Sequence, residues 1–275
     1  MESIRIPRRR HIAGCPDAPH LVFYLIFLFL PPAVLCGLCP PAATQSAAPP
    51  FASGERLTFQ IRWGFIPAGQ AVLEVLPHTS INGTEARHFV LTAQTNAVVD
   101  LIYRVRQRID AYSDLAMTRS LLYREIQSVN RRQRDVRIDF DWERMQARRT
   151  NFQKQKRPIA IPPGSFDPLS AFYFTRFLAL GARSEIQRPI TDGKRSVIGR
   201  ARIVKRETIV VSGRPYDTYL MRPELKHVRG VFEKSKNAKI ELWITADHRK
   251  VPVRIKSKVV VGSFVGELIE ARYGL

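Results

Sequence analysis

Asp139 and Asp141, two residues apart on a predicted strand, are the pairing in this chain best placed for acid–base chemistry. Alternate strand residues project from one face, and two neighbouring carboxylates can divide into proton donor and acceptor. Arg131 and Arg137 share their parity, however, so a solvated, salt-bridged face accounts for the pair better than a catalytic dyad does. Ser263 lies in Gly262-Ser263-Phe264-Val265-Gly266, one position off the turn that exposes a nucleophilic serine, and reads as a turn or bulge residue. The six histidines show no HxH, HxxxH or HExxH spacing, so no metal site is expected. Glycine-rich phosphate loops are absent, and no cofactor is expected. All three cysteines, Cys15, Cys36 and Cys39, fall within the first fifty residues. The remainder therefore offers neither a disulfide framework nor a thiolate. No catalytic residue is assigned, and a hydrolase built on Asp139 and Asp141 stands only as a third reading.

The elements that would position such groups are strands. Leu57, Phe59, Ile61, Trp63 and Phe65 alternate with Thr58, Gln60 and Arg62, the pattern of a half-buried strand. Gly64 and the run Ile66-Pro67-Ala68-Gly69 turn the chain into a second strand over 70–76. Asn82-Gly83 is a hairpin signal leading to a strand over 86–96. Alternation recurs over 103–112, 121–129 and 134–142, with a return strand over 145–152. Short connections make this an antiparallel meander. Asp167-Pro168 then supplies an acidic N-cap and a proline at the first helical position, and Gly181 a stop, predicting one helix over 168–180 with a buried aromatic stripe. Strands resume at 196–211, 216–221, 238–245, 251–261 and 264–273. The fold class expected is mainly β: an antiparallel curved sheet forming a barrel or half-barrel, with one inserted helix.

The first fifty residues have a different character. A basic start (Arg5, Arg8, Arg9, Arg10), an apolar run from Leu21 to Leu30 and a proline- and alanine-rich exit give the order of a secretory signal. A retained N-terminal anchor is the competing reading and a lipoprotein a third, although Pro31-Pro32 breaks the apolar run. Residues 51–275 are read as a single β-rich domain. The protein is expected to be exported to a periplasm, where an uncleaved leader could hold it to the inner membrane. Net charge is +20, and the leader's four arginines against Glu2 and Asp17 leave +18 for the rest. Such an excess favours anionic partners. Export argues against nucleic acid.

Gly54-Glu55, Trp63-Gly64 with Ala68-Gly69, Leu73-Glu74-Val75 and the run from Asp167 to Tyr173 together resemble a family of bacterial exported proteins, domain of unknown function 3108. So do the run from Leu242 to Asp247, that from Val251 to Ile255, and Val261-Gly262-Ser263 with Glu267-Leu268. The resemblance covers about 51–273. It implies a secreted or periplasmic protein of Gram-negative bacteria with a mostly antiparallel β fold, and no known activity or catalytic residues. The layout also looks like the half-barrels of lipoprotein carriers, an analogy of architecture.

The leading expectation is a non-enzymatic envelope protein that binds a lipid or other amphiphile. Trp63, Phe65, Phe172, Tyr173, Phe177 and Trp243 would line a cavity, and Arg104, Arg106, Arg254 and Lys256 would meet anionic headgroups or a membrane surface. The alternative is a structural or assembly factor whose strand edge or basic face engages an envelope protein or anionic polymer.

Overall fold

The computed structural model describes residues 49–181, 184–224, 239–259 and 262–274. The leader, with its cysteines and its apolar run, lies outside the described residues. Among the described residues, two-residue alternation is realised as fifteen strands of one antiparallel sheet that does not close on itself. In chain order they are β1 (Arg56–Trp63), β2 (Ile66–Ile81), β3 (Thr84–Thr95), β4 (Val105–Asp114), β5 (Ser120–Val129), β6 (Arg132–Asp141), β7 (Gln146–Asn151) and β8 (Lys154–Gln155). Then come β9 (Ile159–Ala160), β10 (Glu185–Thr191), β11 (Ser196–Val211), β12 (Arg214–Pro223), β13 (Lys239–Thr245), β14 (Pro252–Val259) and β15 (Gly262–Arg272). Two helices interrupt them among the described residues, α1 (Ala97–Asp100) and α2 (Pro168–Thr175).

The spatial order is β10-β11-β12-β13-β14-β15-β1-β2-β3-β4-β5-β6-β7-β8, with β9 on β7. The C-terminal strand thus pairs with the first one, Arg56 opposite Arg272 and Trp63 opposite Phe264, which joins two meanders into one sheet. Hairpin chemistry sets the joints. Asn82 and Gly83 take φ of 49° and 80°, the left-handed pair that a two-residue turn needs.

The sheet curls until its two ends approach. Arg149 on β7 donates from Nη1 to the Asp192 carbonyl at 2.6 Å, in the turn after β10. Gly193 sits so close there that a Cβ would lie 2.9 Å from the Arg149 Cβ. The edge strand β10 carries Pro189, and the Phe166–Ile190 bridge covers part of it. Both devices blunt an edge against further strand pairing.

Helix α2 fills the concave side. Asp167 Oδ1 accepts the Leu169 and Ser170 N–H groups, each at 2.9 Å, and Pro168 occupies the first helical position. Every residue from Leu169 to Thr175 is buried. Tyr173 stacks on Phe89 at 4.0 Å between ring centroids, and Phe51 packs edge-on against both. Burying Phe172, Tyr173 and Phe174 contributes on the order of 2 kcal/mol each. The helix is shorter than the expected 168–180. From Arg176 onward N–H groups bond three residues back, to Tyr173 and Phe174, in the tighter turn that ends the helix.

Candidate functional site

Asp139 and Asp141 do share a groove, of about 540 Å³, walled by Arg119, Trp142, Arg144 and Arg148 among others. Strand β6 holds both on one face, and β7 returns beside them with Arg148 opposite Asp139 and Gln146 opposite Asp141. Each carboxylate already has a cation. Arg137 Nε donates to Asp139 Oδ1 at 2.8 Å. The Arg144 backbone and guanidinium both donate to Asp141 at 2.9 Å, and these bonds hold the Asp141 carboxyl below its usual range. A proton-sharing dyad needs the reverse, two carboxylates crowded together and short of cations. The Trp142 indole is spent on the Ser120 carbonyl at 2.8 Å, under the Arg119 guanidinium. Ser263 is a ladder residue of β15 opposite Lys258, its carbonyl accepting the Gly64 N–H at 2.9 Å. His88 is taken up by Asp110 at 2.8 Å and by a stacked Tyr112. Among the described residues no three metal-ligating side chains gather.

The six aromatic residues expected to line one cavity divide between the packed core and the surface. Phe172 and Tyr173 are core filling, 1% and 0% exposed. Phe177 is at the margin of that core, edge-on to Phe51. Trp243 on β13 belongs to the same buried cluster, its indole donating to Glu207 at 3.0 Å. Trp63 and Phe65 are in the open, 49% and 100% exposed. Trp63 closes β1 where the strand has run past the core, with Ile61 half-buried and Arg62 already exposed, and Phe65 is a turn residue beyond the strand.

The four cations separate likewise. Arg106 is locked onto Asp100, whose carboxyl the hydrogen bonds from Arg106 and Thr95 bring down to about 2. Arg254 binds Glu267 at 2.8 Å and the Val210 carbonyl at 2.7 Å. Arg104 and Lys256 are exposed.

Sequence reasoning missed a buried ion pair. Arg176 and Glu55, 1% and 2% exposed, meet in two bonds, Nη1 to Oε1 at 2.5 Å and Nη2 to Oε2 at 2.8 Å. Arg176 also donates to the Arg249 and Pro50 carbonyls. The available signal was an arginine at the end of a helical stretch with no other charged residue after its Asp167 cap. Enclosed and doubly bonded, this pair ties α2 to the start of the domain and to the turn after β13.

The family model for proteins of unknown function DUF3108 matches residues 58–269, nearly the whole described domain. The chain belongs to that family. No curated protein matches it. Among solved structures it is similar to a crystal structure of a beta-barrel-like protein of domain of unknown function DUF1849 from Brucella abortus. That match has a TM-score of 0.52 and 11% identity, over 80% of this chain and 97% of that one. At that identity the likeness concerns fold alone, and it fits a curled sheet short of closure.

Proposed function

We propose that this DUF3108 protein is a non-enzymatic component of the bacterial envelope, exported by its N-terminal segment, that binds an amphiphilic envelope molecule at its surface. The observation that supports a surface over an interior site is α2: the concave side beside it is packed with buried aromatic residues rather than left open. The neutralised pairs at Asp139 and Asp141 support binding over hydrolysis. Strand addition by an envelope partner has less support, since β10 carries Pro189 and is bridged by Phe166.

Two measurements on the full chain, made in a Gram-negative host, test this reading. Fractionation should recover it outside the cytoplasm, and native mass spectrometry with extraction should find a co-purified amphiphile. A cytoplasmic protein carrying no amphiphile would refute it. Asp139→Asn is expected to leave all envelope-substrate assays unchanged, and any hydrolysis lost with that variant would revive the enzyme reading.

A further inference from the structure

Three strand connections, β1–β2 at Gly64-Phe65, β3–β4 through α1 and β5–β6 at Asn130-Arg131, stand side by side at one end of the sheet, next to the paired ends of β14 and β15, because these strands are consecutive neighbours in the order β14-β15-β1-β2-β3-β4-β5-β6. Neighbouring tips are two strands apart, about 10 Å. The β1–β2 and β3–β4 tips are apolar and exposed: Phe65 100%, Ile66 54%, Val98 71%, Leu101 86% and Ile102 85%, with Trp63 at 49% stacked on Phe264. Exposed cations flank them on both sides, Lys256 and Lys258 toward β14 and Arg131 toward β6, with Arg62 and Arg104 between.

The polar groups of this end are turned inward. Asn96 caps α1 through Val99 N–H at 2.9 Å and donates to the Pro67 carbonyl at 2.6 Å, clamping the β3–β4 connection to the β1–β2 hairpin. Asn130 Oδ1 accepts the Arg104 N–H at 2.8 Å, and Asp100 is consumed by Arg106 and Thr95. Among the described residues, the tips themselves are apolar and the exposed charges beside them are positive. At the other end the β4–β5 turn does the opposite and buries Met117, 2% exposed.

We propose that this end docks on an anionic lipid bilayer, with Phe65, Leu101 and Ile102 entering the acyl boundary, Trp63 at headgroup level and the flanking cations on lipid phosphates. The inference rests on the surface-binding reading above and gives it a site and a ligand class. Charge complementarity selects the occupant: a second copy meeting this end would oppose the same cations, whereas an anionic bilayer neutralises them. Separate tips need no complementary pocket, and a tryptophan beside apolar tips is the usual interfacial arrangement.

The test uses the full chain with vesicles of phosphatidylglycerol and phosphatidylcholine, or phosphatidylcholine alone, brominated in the acyl chains. The leader is common to every variant, so the decisive readout is local: the part of tryptophan quenching that disappears in Trp63→Phe. That part is expected with anionic vesicles, to fall with added salt, and to drop at least about tenfold at fixed lipid in Phe65→Ser/Leu101→Ser. Arg62→Gln/Arg104→Gln should weaken binding by about fivefold per charge. The variants should keep the wild-type melting temperature, since every altered side chain is exposed; a variant that melts lower is replaced by Leu101→Ser alone. Trp63 unquenched on anionic vesicles, or quenched equally in the serine variants, overturns the proposal. So does concentration-dependent dimerisation that Leu101→Ser abolishes, which would make the occupant a second copy. Failure here with a co-purified amphiphile still present would sink the docking site and leave the surface-binding reading standing.

Discussion

Removing the Arg176 guanidinium while keeping an apolar stem, as in Arg176→Met, would leave the Glu55 carboxylate 2% exposed with no cation against it. Two backbone carbonyls, of Arg249 and Pro50, would lose their donor as well. Breaking a buried, hydrogen-bonded pair from one side costs about 3–5 kcal/mol, most of it the desolvation of the charge left behind. For a domain of this size each kcal/mol moves the melting temperature by about 2–4 °C, so Arg176→Met should melt roughly 6–20 °C lower. The same reasoning makes the double variant informative. Glu55→Leu/Arg176→Met removes both charges, and replacing a whole buried pair with apolar residues is often neutral or better. It should recover at least about 2 kcal/mol of the single variant's loss. Thermal and urea melts of the wild type, both singles and the double close the cycle. An Arg176→Met protein melting within about 2 °C of wild type, or a double variant no better than Arg176→Met, would refute the reasoning.

Three further outcomes follow from local geometry. Burial opposes ionisation of Asp110, but hydrogen bonds from His88 and Arg108 outweigh it and bring the carboxyl to about 2. Stabilisation from a depressed carboxylate is complete above the unfolded pKa and lost as pH falls from about 4 toward 2, here at most about 2 kcal/mol; Asp110→Asn should flatten that limb in urea melts against pH. Asp167→Ala removes the acceptor for Leu169, Ser170 and Ser120 together and should cost about 2–3 kcal/mol, whereas Asp167→Asn keeps the cap and should cost under about 1 kcal/mol, read as loss of helix-dependent near-ultraviolet signal on melting. Gly69→Ala would place a Cβ 2.1 Å from the Gln94 carbonyl oxygen and force β2 and β3 apart. That variant should lose about 3 kcal/mol or more and give little soluble protein.

What the sequence made legible was what depends on neighbours along the chain. Val136, Ile138 and Phe140 alternate and are buried, Asn82-Gly83 turns a hairpin, and Asp167-Pro168 opens the helix where its capping chemistry requires. The DUF3108 resemblance rested on such local blocks and holds. Long-range partnership was not legible. Glu55 and Arg176 are 121 residues apart, and neither residue type alone announces a buried pair. Sidedness failed at Trp63 because β1 runs past the core before it ends: Ile61 is half-buried, Arg62 and Trp63 are both exposed, and parity counted from Leu57 no longer implies burial there. Strand β10 was not anticipated: Pro189 interrupts its pattern, and only its place at the sheet edge makes that proline tolerable.

The same distinction explains why the apolar tips escaped a sequence reading. Val98, Leu101 and Ile102 surround a short stretch that by composition would be taken as a core helix, and hydrophobic character usually does mean burial. Here four polar side chains, Thr95, Asn96, Asp100 and Asn130, find their partners within the loop and its neighbours, so the backbone is held without the apolar groups turning inward. Those groups then add nothing to folding through burial, and their exposure costs solubility. The consequence is a separation by position: substitutions at α2 and Glu55 should change stability, while substitutions at Phe65 and Leu101 should change adhesion and leave stability alone. A tip variant that lost stability in step with adhesion would mean that the loop packs inward in solution and that the apolar end is part of the core.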